Sequence, residues 1–445
     1  MNGFAEIKIP PGAETILGML NEAGHDAAVV GGCVRDALLG REPHDWDICT
    51  SAKPEETMAV FSGRFPVIET GIRHGTVTVV AGGEPFEITT YRIDGAYADN
   101  RHPDSVSFTT SLEEDLARRD FTMNAMAFSP TDGLCDPFRG REDLAAGVIR
   151  AVGDPEKRFR EDGLRVMRAL RFSAVYGFEI EPETGRAVLT CRELLKNLSA
   201  ERLREELCRL LMGKDAERVL LDYREVMAVV IPELEPCFDC PQDSPWHDLD
   251  VYRHLVLSVA LAEEDLTVRL AMLLHDIGKP ACRTTDENGV GHFCGHAAVS
   301  AAMADEVLRR LRFDNETRAA VVQLVKWHDM VCEKQEKAVR KHLSRLGEEQ
   351  FRRWINVRRA DVLAQAPEVR QERMTELDEL EALAAAVLAQ EQPLTLRDLA
   401  VNGNDLIALG MTPGPELGDV LQKLLDHVLE VPEDNTKEKL LQLLS

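Results

Sequence analysis

Asp45 and Asp47 stand two residues apart in the run DWDICT (45–50). An extended run has a side-chain period of two, which predicts both carboxylates on one face with Cα atoms about 7 Å apart. Paired acceptor-only groups suit a hard cation, and Mg2+ is commonly held by one or two carboxylates together with substrate phosphates. An isolated pair is more often two solvated aspartates, so the neighbours decide. Just upstream, VVGGCVRD (29–36) reads as a strand, a Gly31-Gly32 turn and a helix. Glycine there lets the backbone approach a phosphate, and a helix N-terminus offers free N–H groups to an anion. Arg35 adds a guanidinium fork for phosphate. Glycine turn, arginine and paired aspartates fall within 17 residues. Together they describe a triphosphate held at a metal site.

Two further groups carry chemistry. Residues 157–171 hold Lys157, Arg158, Arg160, Arg165, Arg168 and Arg171 against Glu161 and Asp162. On a helix, positions three apart are neighbours, so Asp162 and Arg165 are expected to act together while Arg168 and Arg171 wind progressively away. Farther along come His254 in VYRHLVLSVALA (251–262), His275 and Asp276 in LLHDIGKP (273–280), His296, His328 and Asp361. Each alone is more often a packing or capping residue. Together, imidazole and carboxylate donors suit Mn, Fe, Ni or Zn better than Mg alone.

The elements that must position these groups follow from periodicity. Helices are expected over 13–23 and from Val34 to Leu39, and a buried strand over AAVV (27–30). DWDICT reads as a strand, with Ser51 as N-cap of a helix starting near Pro54. GTVTVV (75–80) and PFEITTYR (85–92) read as a hairpin turning at AGGE. From about Asp154 the pattern is helical nearly to the end, with apolar residues at three- and four-residue spacing. Residues 232–250 lack that period and mark a boundary. The expected fold class is α+β: a small mixed sheet with helices, followed by all-α segments.

Composition bounds the rest. A chain of 445 residues allows roughly three domains. No apolar run reaches the length of a membrane span, and the first twenty residues do not read as a signal peptide. A soluble, cytoplasmic protein is expected. Ten cysteines are scattered, with Cys237 and Cys240 as the CxxC pair; they are expected to be reduced and mostly buried. The 52 basic and 77 acidic side chains give a net charge of −25, which excludes nucleic-acid binding by the whole surface and leaves room for a local basic groove.

At this point the chain resembles a known family. VGGCVRDALLG (30–40) and DWDICTSAKPEE (45–56) are similar to the head of the class II CCA-adding tRNA nucleotidyltransferases and bacterial poly(A) polymerases. TTYRIDGAYADNRHPDSVSF (89–108) is similar to the family's flexible loop, RRDFTMNAMAF (118–128) to its ribose-recognition segment, and EDGLRVMRALRF (161–172) to its base-selecting helix. The resemblance implies a palm-type head (1–150), a helical neck and body (151–245) and a helical RNA-binding tail (366–445). It implies two Mg2+ ions held by Asp45 and Asp47, and attack by a tRNA 3′ hydroxyl on the α-phosphate of CTP or ATP. Gly32, Arg35, Arg119, Asp120, Asn124, Asp162, Arg165, Arg168 and Arg171 would bind the nucleotide. Glu87, a possible third carboxylate, is equally readable as a surface residue. Cytosine and adenine both present an amine beside an unprotonated ring nitrogen, so Asp162 accepting and Arg165 donating would select C and A over U and G. The loop keeps Arg92, Asp94, Tyr97, Asp99, Arg101 and Pro103, as enzymes adding both bases do, but has His102 where a second arginine is common. LAVNGNDLIALGMTPGPELG (399–418) is similar to the family's C-terminal segment, which would contact the RNA elbow.

The order H…HD…H…H…D resembles the HD phosphohydrolase superfamily, placed here at 246–365. That likeness implies one transition metal on His254, His275, Asp276 and Asp361, with Asp329 a rival for the last ligand. His296 and His328 would complete a second site or bind phosphate. A cyclic phosphodiester, a terminal phosphate or a nucleotide would each fit. The leading expectation is CCA addition to tRNA, with a poly(A) polymerase as the alternative. No DNA or membrane partner is expected. A non-catalytic RNA-binding protein, or a phosphohydrolase with the head as a nucleotide sensor, are the readings from other classes.

Overall fold

The computed structural model describes residues 4–72, 75–95 and 106–444. Tyr97, Asp99, Arg101, His102 and Pro103 of the expected loop lie outside them. The chain divides into two compact units, Met1–Pro232 and Glu233–Ser445. No helix among the described residues is long and apolar enough to cross a membrane.

The first unit is built on a seven-stranded sheet of order β3-β4-β5-β2-β1-β8-β9. Its strands are β1 (Ala27–Val30), β2 (Ile48–Thr50), β3 (Val67–Gly71), β4 (Thr76–Ala81), β5 (Glu84–Thr90), β8 (Ala127–Ser129) and β9 (Gly133–Cys135); β6 (Arg92–Asp94) and β7 (Val106–Phe108) form a separate pair. β1 is buried at all four positions because it runs mid-sheet between β2 and β8. The expected hairpin is present: Gly82 and Gly83 turn it at φ 63° and 88°, the left-handed region that glycine enters freely. β2 pairs antiparallel with β1 and parallel with β5, with Ile48 opposite Ile88.

Around the sheet run α1 (Pro11–Glu22), α2 (Gly32–Leu38), α3 (Pro54–Phe61), α4 (Leu112–Ala117) and α5 (Gly140–Ala146). Three local expectations are corrected. The strand expected over 45–50 begins only at Ile48, so Asp45 and Asp47 stand immediately before it. Asp47 still joins the sheet through its carbonyl, which accepts from Val30 N at 2.9 Å. The N-cap of α3 is Lys53 with Pro54 at the first helical position, whereas Ser51 Oγ accepts from Asp26 N. Four of the ten cysteines are fully buried, not most of them.

The helical part of the first unit is α6 (Pro155–Glu161), α7 (Leu164–Tyr176), α8 (Pro182–Thr190), α9 (Ala200–Leu211), α10 (Ala216–Asp222) and α11 (Arg224–Val230). Phe172 of α7 meets Phe121 edge-on at 5.8 Å and stacks on Tyr176 at 6.0 Å, which seats α7 against the sheet domain.

The second unit contains α12 (Val251–Leu261), α13 (Leu266–Leu274), α14 (Lys279–Cys282), α15 (His296–Arg310), α16 (Asn315–Trp327), α17 (Glu336–Leu346), α18 (Glu348–Leu363), α19 (Pro367–Ala389), α20 (Gly403–Ala408), α21 (Pro415–Glu430) and α22 (Lys437–Gln442). Residues Val268–Leu274 of α13 are buried without interruption, the mark of a helix enclosed on every side. The turn after it comes so close to α15 that a Cβ on Gly278 would lie 2.6 Å from Ser300 N.

Candidate active site and metal centre

In the first unit the sheet register assembles an acidic cluster. Because Ile48 faces Ile88 in the parallel pair, the preceding residues Asp47 and Glu87 are neighbours. Asp47 is exposed as a residue, yet its carboxyl is pushed up to about 6. Burial is the largest cause, repulsion from Asp45 and Glu87 adds to it, and Arg119 works against it. Two neighbouring carboxylates that disfavour ionisation of Asp47 make a site whose repulsion a divalent cation relieves. The residues therefore fit a metal. Glu87, left open by the sequence, belongs to this cluster; the strand register, not its spacing, reveals it.

Gly31 sits at φ 83°, and a Cβ there would lie 2.8 Å from Arg119 Nη1. The glycine turn thus makes room for an arginine side chain lying across it. Arg119 also reaches Asp115 Oδ2 at 3.4 Å and keeps a buried Nε with no hydrogen-bond partner. Gly31→Ala is expected to displace Arg119 and strain the turn, lowering the kcat/KM of any reaction at this site by roughly tenfold or more. Steady-state kinetics beside an unchanged circular-dichroism spectrum checks it.

Other expected nucleotide ligands form a buried network. Arg35 is only 8 % exposed. It donates to Asp36 through Nε and Nη2 at 3.0 and 2.8 Å and to Asn124 Oδ1 at 2.6 Å, and packs over Phe172 and Tyr176. It is not the open phosphate fork the sequence suggested, because it is buried and three of its five N–H donors are engaged internally. Asn124 Nδ2 donates to Asp120 Oδ1 at 3.0 Å, and Arg168 Nε donates to Asp120 Oδ2 at 2.7 Å. Burial alone would raise the Asp120 pKa, but Arg168, Arg165 and the Asn124 amide hold it well below the usual carboxylate range. Gly32 opens α2.

The expected Asp162–Arg165 pair is corrected. Asp162 ends α6 in an extended conformation, and α7 starts only at Leu164. Asp162 Oδ1 accepts from Leu164 N at 3.1 Å, and its Oδ2 accepts from Arg202 at 2.9 Å. Arg165 donates to Glu161 at 2.8 Å and to the carbonyls of Arg158 and Arg118 at 2.9 and 3.0 Å. The two face different partners because the chain breaks its helix at Asp162-Gly163. Arg171 lies 2.7 Å from Glu206 Oε2 in an ion pair without linear hydrogen-bond geometry, and packs over Phe172. Burial pushes its pKa down to about 10, against the attraction of Glu206.

In the second unit the structure brings together all six expected metal-ligating residues. His254 Nε2 lies 3.2 Å from His275 Nε2, 3.1 Å from Asp361 Oδ1 and 3.5 Å from Asp276 Oδ2. On the other side, His296 Nε2 lies 3.2 Å from His328 Nε2 and 3.2 Å from Asp276 Oδ1, with His328 at 3.5 Å from that oxygen. Asp276 thus offers one oxygen to each group, a shared role the spacing did not reveal. The four imidazole Nδ1 atoms of His254, His275, His296 and His328 face the carbonyls of Ala364, Met272, Phe293 and Val325 at 3.3, 2.8, 2.8 and 2.7 Å. Donation from Nδ1 leaves Nε2 as the ligand atom and fixes the ring.

The cluster is electrostatically loaded. Burial works against charge on His275, but Asp276 and Asp361 pull its pKa up to about 10. Asp276 Oδ1 is buried without an aligned hydrogen bond. Imidazole and carboxylate donors converging on an orphaned oxygen fit a pair of metal ions. Lys279 Nζ lies 2.6 Å from Asp276 Oδ2 and donates to Gln242 Oε1 at 2.7 Å. His247 was missed: its ligand atom lies within 4.8 Å of those of His254 and Asp361. It comes from the irregular stretch before α12, where no periodicity could place it. Asp329, the rival ligand, borders a cavity of about 560 Å3 that opens on the cluster but joins none of the three ligand groups.

Comparison with known proteins finds matching families along most of the chain. Residues 27–150 match the family described as "Poly A polymerase head domain", residues 177–238 that described as "Probable RNA and SrmB- binding site of polymerase A", and residues 284–444 a tRNA nucleotidyltransferase domain 2 family. The CCA-adding enzyme of Lactobacillus helveticus is 37% identical over 437 residues, covering 96% of this chain and 94% of that relative. The CCA-adding enzyme of Geobacillus stearothermophilus is 50% identical over 213 residues, 47% of this chain and 52% of that relative. The crystal structure of the Bacillus stearothermophilus CCA-adding enzyme in complex with CTP superposes with a TM-score of 0.74 at 31% identity, covering 98% of each chain. Similarity across nearly the whole of both sequences shows that the chain belongs to the family of CCA-adding enzymes, tRNA nucleotidyltransferases with a poly(A) polymerase head.

Proposed function

We propose that this chain adds C, C and A to the 3′ end of tRNA from CTP and ATP, releasing one pyrophosphate per nucleotide. The observation that carries the reading is the cluster of Asp45, Asp47 and Glu87 beside the Gly31 turn, with Arg119 across it. Mg2+ held by Asp45 and Asp47 supplies Lewis acidity to the reacting phosphate when bound. Arg119, with its unpartnered Nε, fits the triphosphate. Asn124 uses one amide hydrogen on Asp120 and keeps the other for a ribose hydroxyl. Arg168 and Arg171 act through Asp120 and Glu206, holding α7 and its neighbours in place. The segments 151–245 and 366–445 are proposed to contact RNA.

Base choice is assigned to Asp162 and Arg165, each exchanging an internal partner, Arg202 or Glu161, for the base edge. Offered each triphosphate singly, the wild type is expected to use CTP and ATP and to refuse UTP and GTP. Asp162→Ala is expected to narrow the preference for CTP over UTP by about tenfold, the loss of one edge contact, with KM for the triphosphate moiety little changed. Incorporation of all four bases by the wild type, or an unchanged preference in the variant, contradicts this assignment.

A second activity is favoured by the Asp276-centred cluster. We propose that residues 246–365 form an HD phosphohydrolase site that takes two transition-metal ions, Mn, Fe, Ni or Zn. His254, His275, Asp276 and Asp361 hold one, and Asp276, His296 and His328 hold the other. The supporting geometry is the single carboxylate offered to two histidine pairs with oriented rings.

A further inference from the structure

The cavity at the Asp276 cluster is bordered by two arginines that the metal ligands do not use. Arg358 lies on α18 one turn before Asp361, so both face the same way. Its guanidinium packs 5.7 Å above the Trp354 ring and donates to the Met330 carbonyl. Arg373 comes from α19, across the cavity. It lies 5.1 Å over the Trp246 ring and donates from Nη1 to Gln365 Oε1 at 2.6 Å. Gln365 Nε2 in turn donates to Asp361 Oδ2 at 3.1 Å. Among the described residues, neither arginine has a carboxylate within ion-pair distance, although Asp329, Glu333 and Glu376 also border the cavity. Two guanidinium groups held by aromatic rings and neutral acceptors keep their charge free for an incoming anion.

Their place relative to the metal ligands limits what that anion is. Lys279 already stands on Asp276, 2.6 Å from its Oδ2, where its ammonium would meet a phosphoryl group at the cluster itself. Arg373 meets the ligand set only through Gln365, so it stands one side chain farther from Asp361 than a direct partner does. The cavity volume of about 560 Å3 falls within the range of sites for small organic ligands.

We propose that Arg358 and Arg373 form an anion subsite beside the metal cluster. It takes the second phosphoryl group of a nucleotide or oligonucleotide end whose first phosphoryl group is hydrolysed at the cluster. This rests on the phosphohydrolase reading and narrows its substrate to molecules with two phosphoryl groups. Hydrolysis there breaks one P–O bond, forms another to the oxygen of one water, and yields an alcohol together with inorganic phosphate from a monoester or a monoester from a diester.

The test uses the full chain loaded with Mn2+. Calorimetry compares thymidine 3′,5′-bisphosphate with thymidine 5′-monophosphate; thymine lacks the base edge assigned to the first unit. The bisphosphate is expected to bind at least about tenfold more tightly, as one charged hydrogen-bonded contact provides. Arg358→Gln and Arg373→Gln should each bring the two ligands to within about threefold, with Mn2+ content unchanged. Arg373→Lys keeps the charge and should retain part of the preference. A wild-type ratio near one, or a ratio that survives both glutamine variants, overturns the subsite. Hydrolysis of bis(p-nitrophenyl) phosphate, which carries a single phosphoryl group, separates the two readings. If it persists while the ratio is near one, the subsite alone falls. If no Mn2+ is taken up and nothing is hydrolysed, the phosphohydrolase reading and the subsite fall together.

Discussion

Asp47→Ala is expected to lower nucleotide addition by about 10³-fold or more, the scale of several kcal/mol of lost charge stabilisation at a phosphoryl centre. The residue as a whole is exposed just before β2, and it contributes to the fold through its carbonyl rather than its carboxyl. Removing that carboxyl also removes repulsion with Asp45 and Glu87. The variant should therefore melt at the same temperature as the wild type or higher, while losing activity. That pairing separates a metal-binding role from a structural one, since a structural carboxylate would lower Tm when removed. Primer-extension rates on tRNA and a thermal melt check both halves. Glu87→Gln should act in the same direction with a smaller loss, because Glu87 bears on the site through Asp47.

The second large effect belongs to Asp276. Each of its oxygens serves a different pair of histidines, so Asp276→Asn should abolish transition-metal uptake at both positions. His254→Asn should lose only the first ion and His296→Asn only the second. Metal analysis of the dialysed protein is expected to give about two ions per chain in the wild type, about one in each histidine variant and near none in Asp276→Asn. Asp276→Asn also leaves Lys279 buried beside a neutral amide, a change that typically costs about 3–5 kcal/mol. The histidine variants keep that ion pair and so guard against misfolding. Nucleotide addition should survive in both histidine variants, because none of these residues belongs to the first unit. Uptake of two ions by His296→Asn would contradict the shared-carboxylate arrangement.

Much of this was legible because the informative signals were local. AAVV, the Gly-Gly turn, the AGGE hairpin and the apolar run that ends at His275-Asp276 each carry their own geometry, and the structure keeps them. The six spaced histidines and aspartates could be grouped because they fall at the ends or on the faces of α13 and of α12, α15, α16 and α18, which pack around it. What failed depended on partners that spacing alone does not single out. Asp162 and Arg165 have helical spacing, but Arg202 and Glu161 offer each a better neighbour and Gly163 opens the helix between them. Arg35 looks like a free fork until Asn124, 89 residues away, is folded against it. Glu87 and His247 are not placed by periodicity; one is placed by strand register and the other by the irregular segment before α12.

The account stands most directly on one gel. A tRNA lacking its last three nucleotides is incubated with the protein, CTP, ATP and Mg2+ and read at single-nucleotide resolution. The expected product gains C, C and A and grows no further, with CTP alone stopping the reaction before the A. A long tract of A, growth that ignores CTP, or full activity in Asp47→Ala would contradict it.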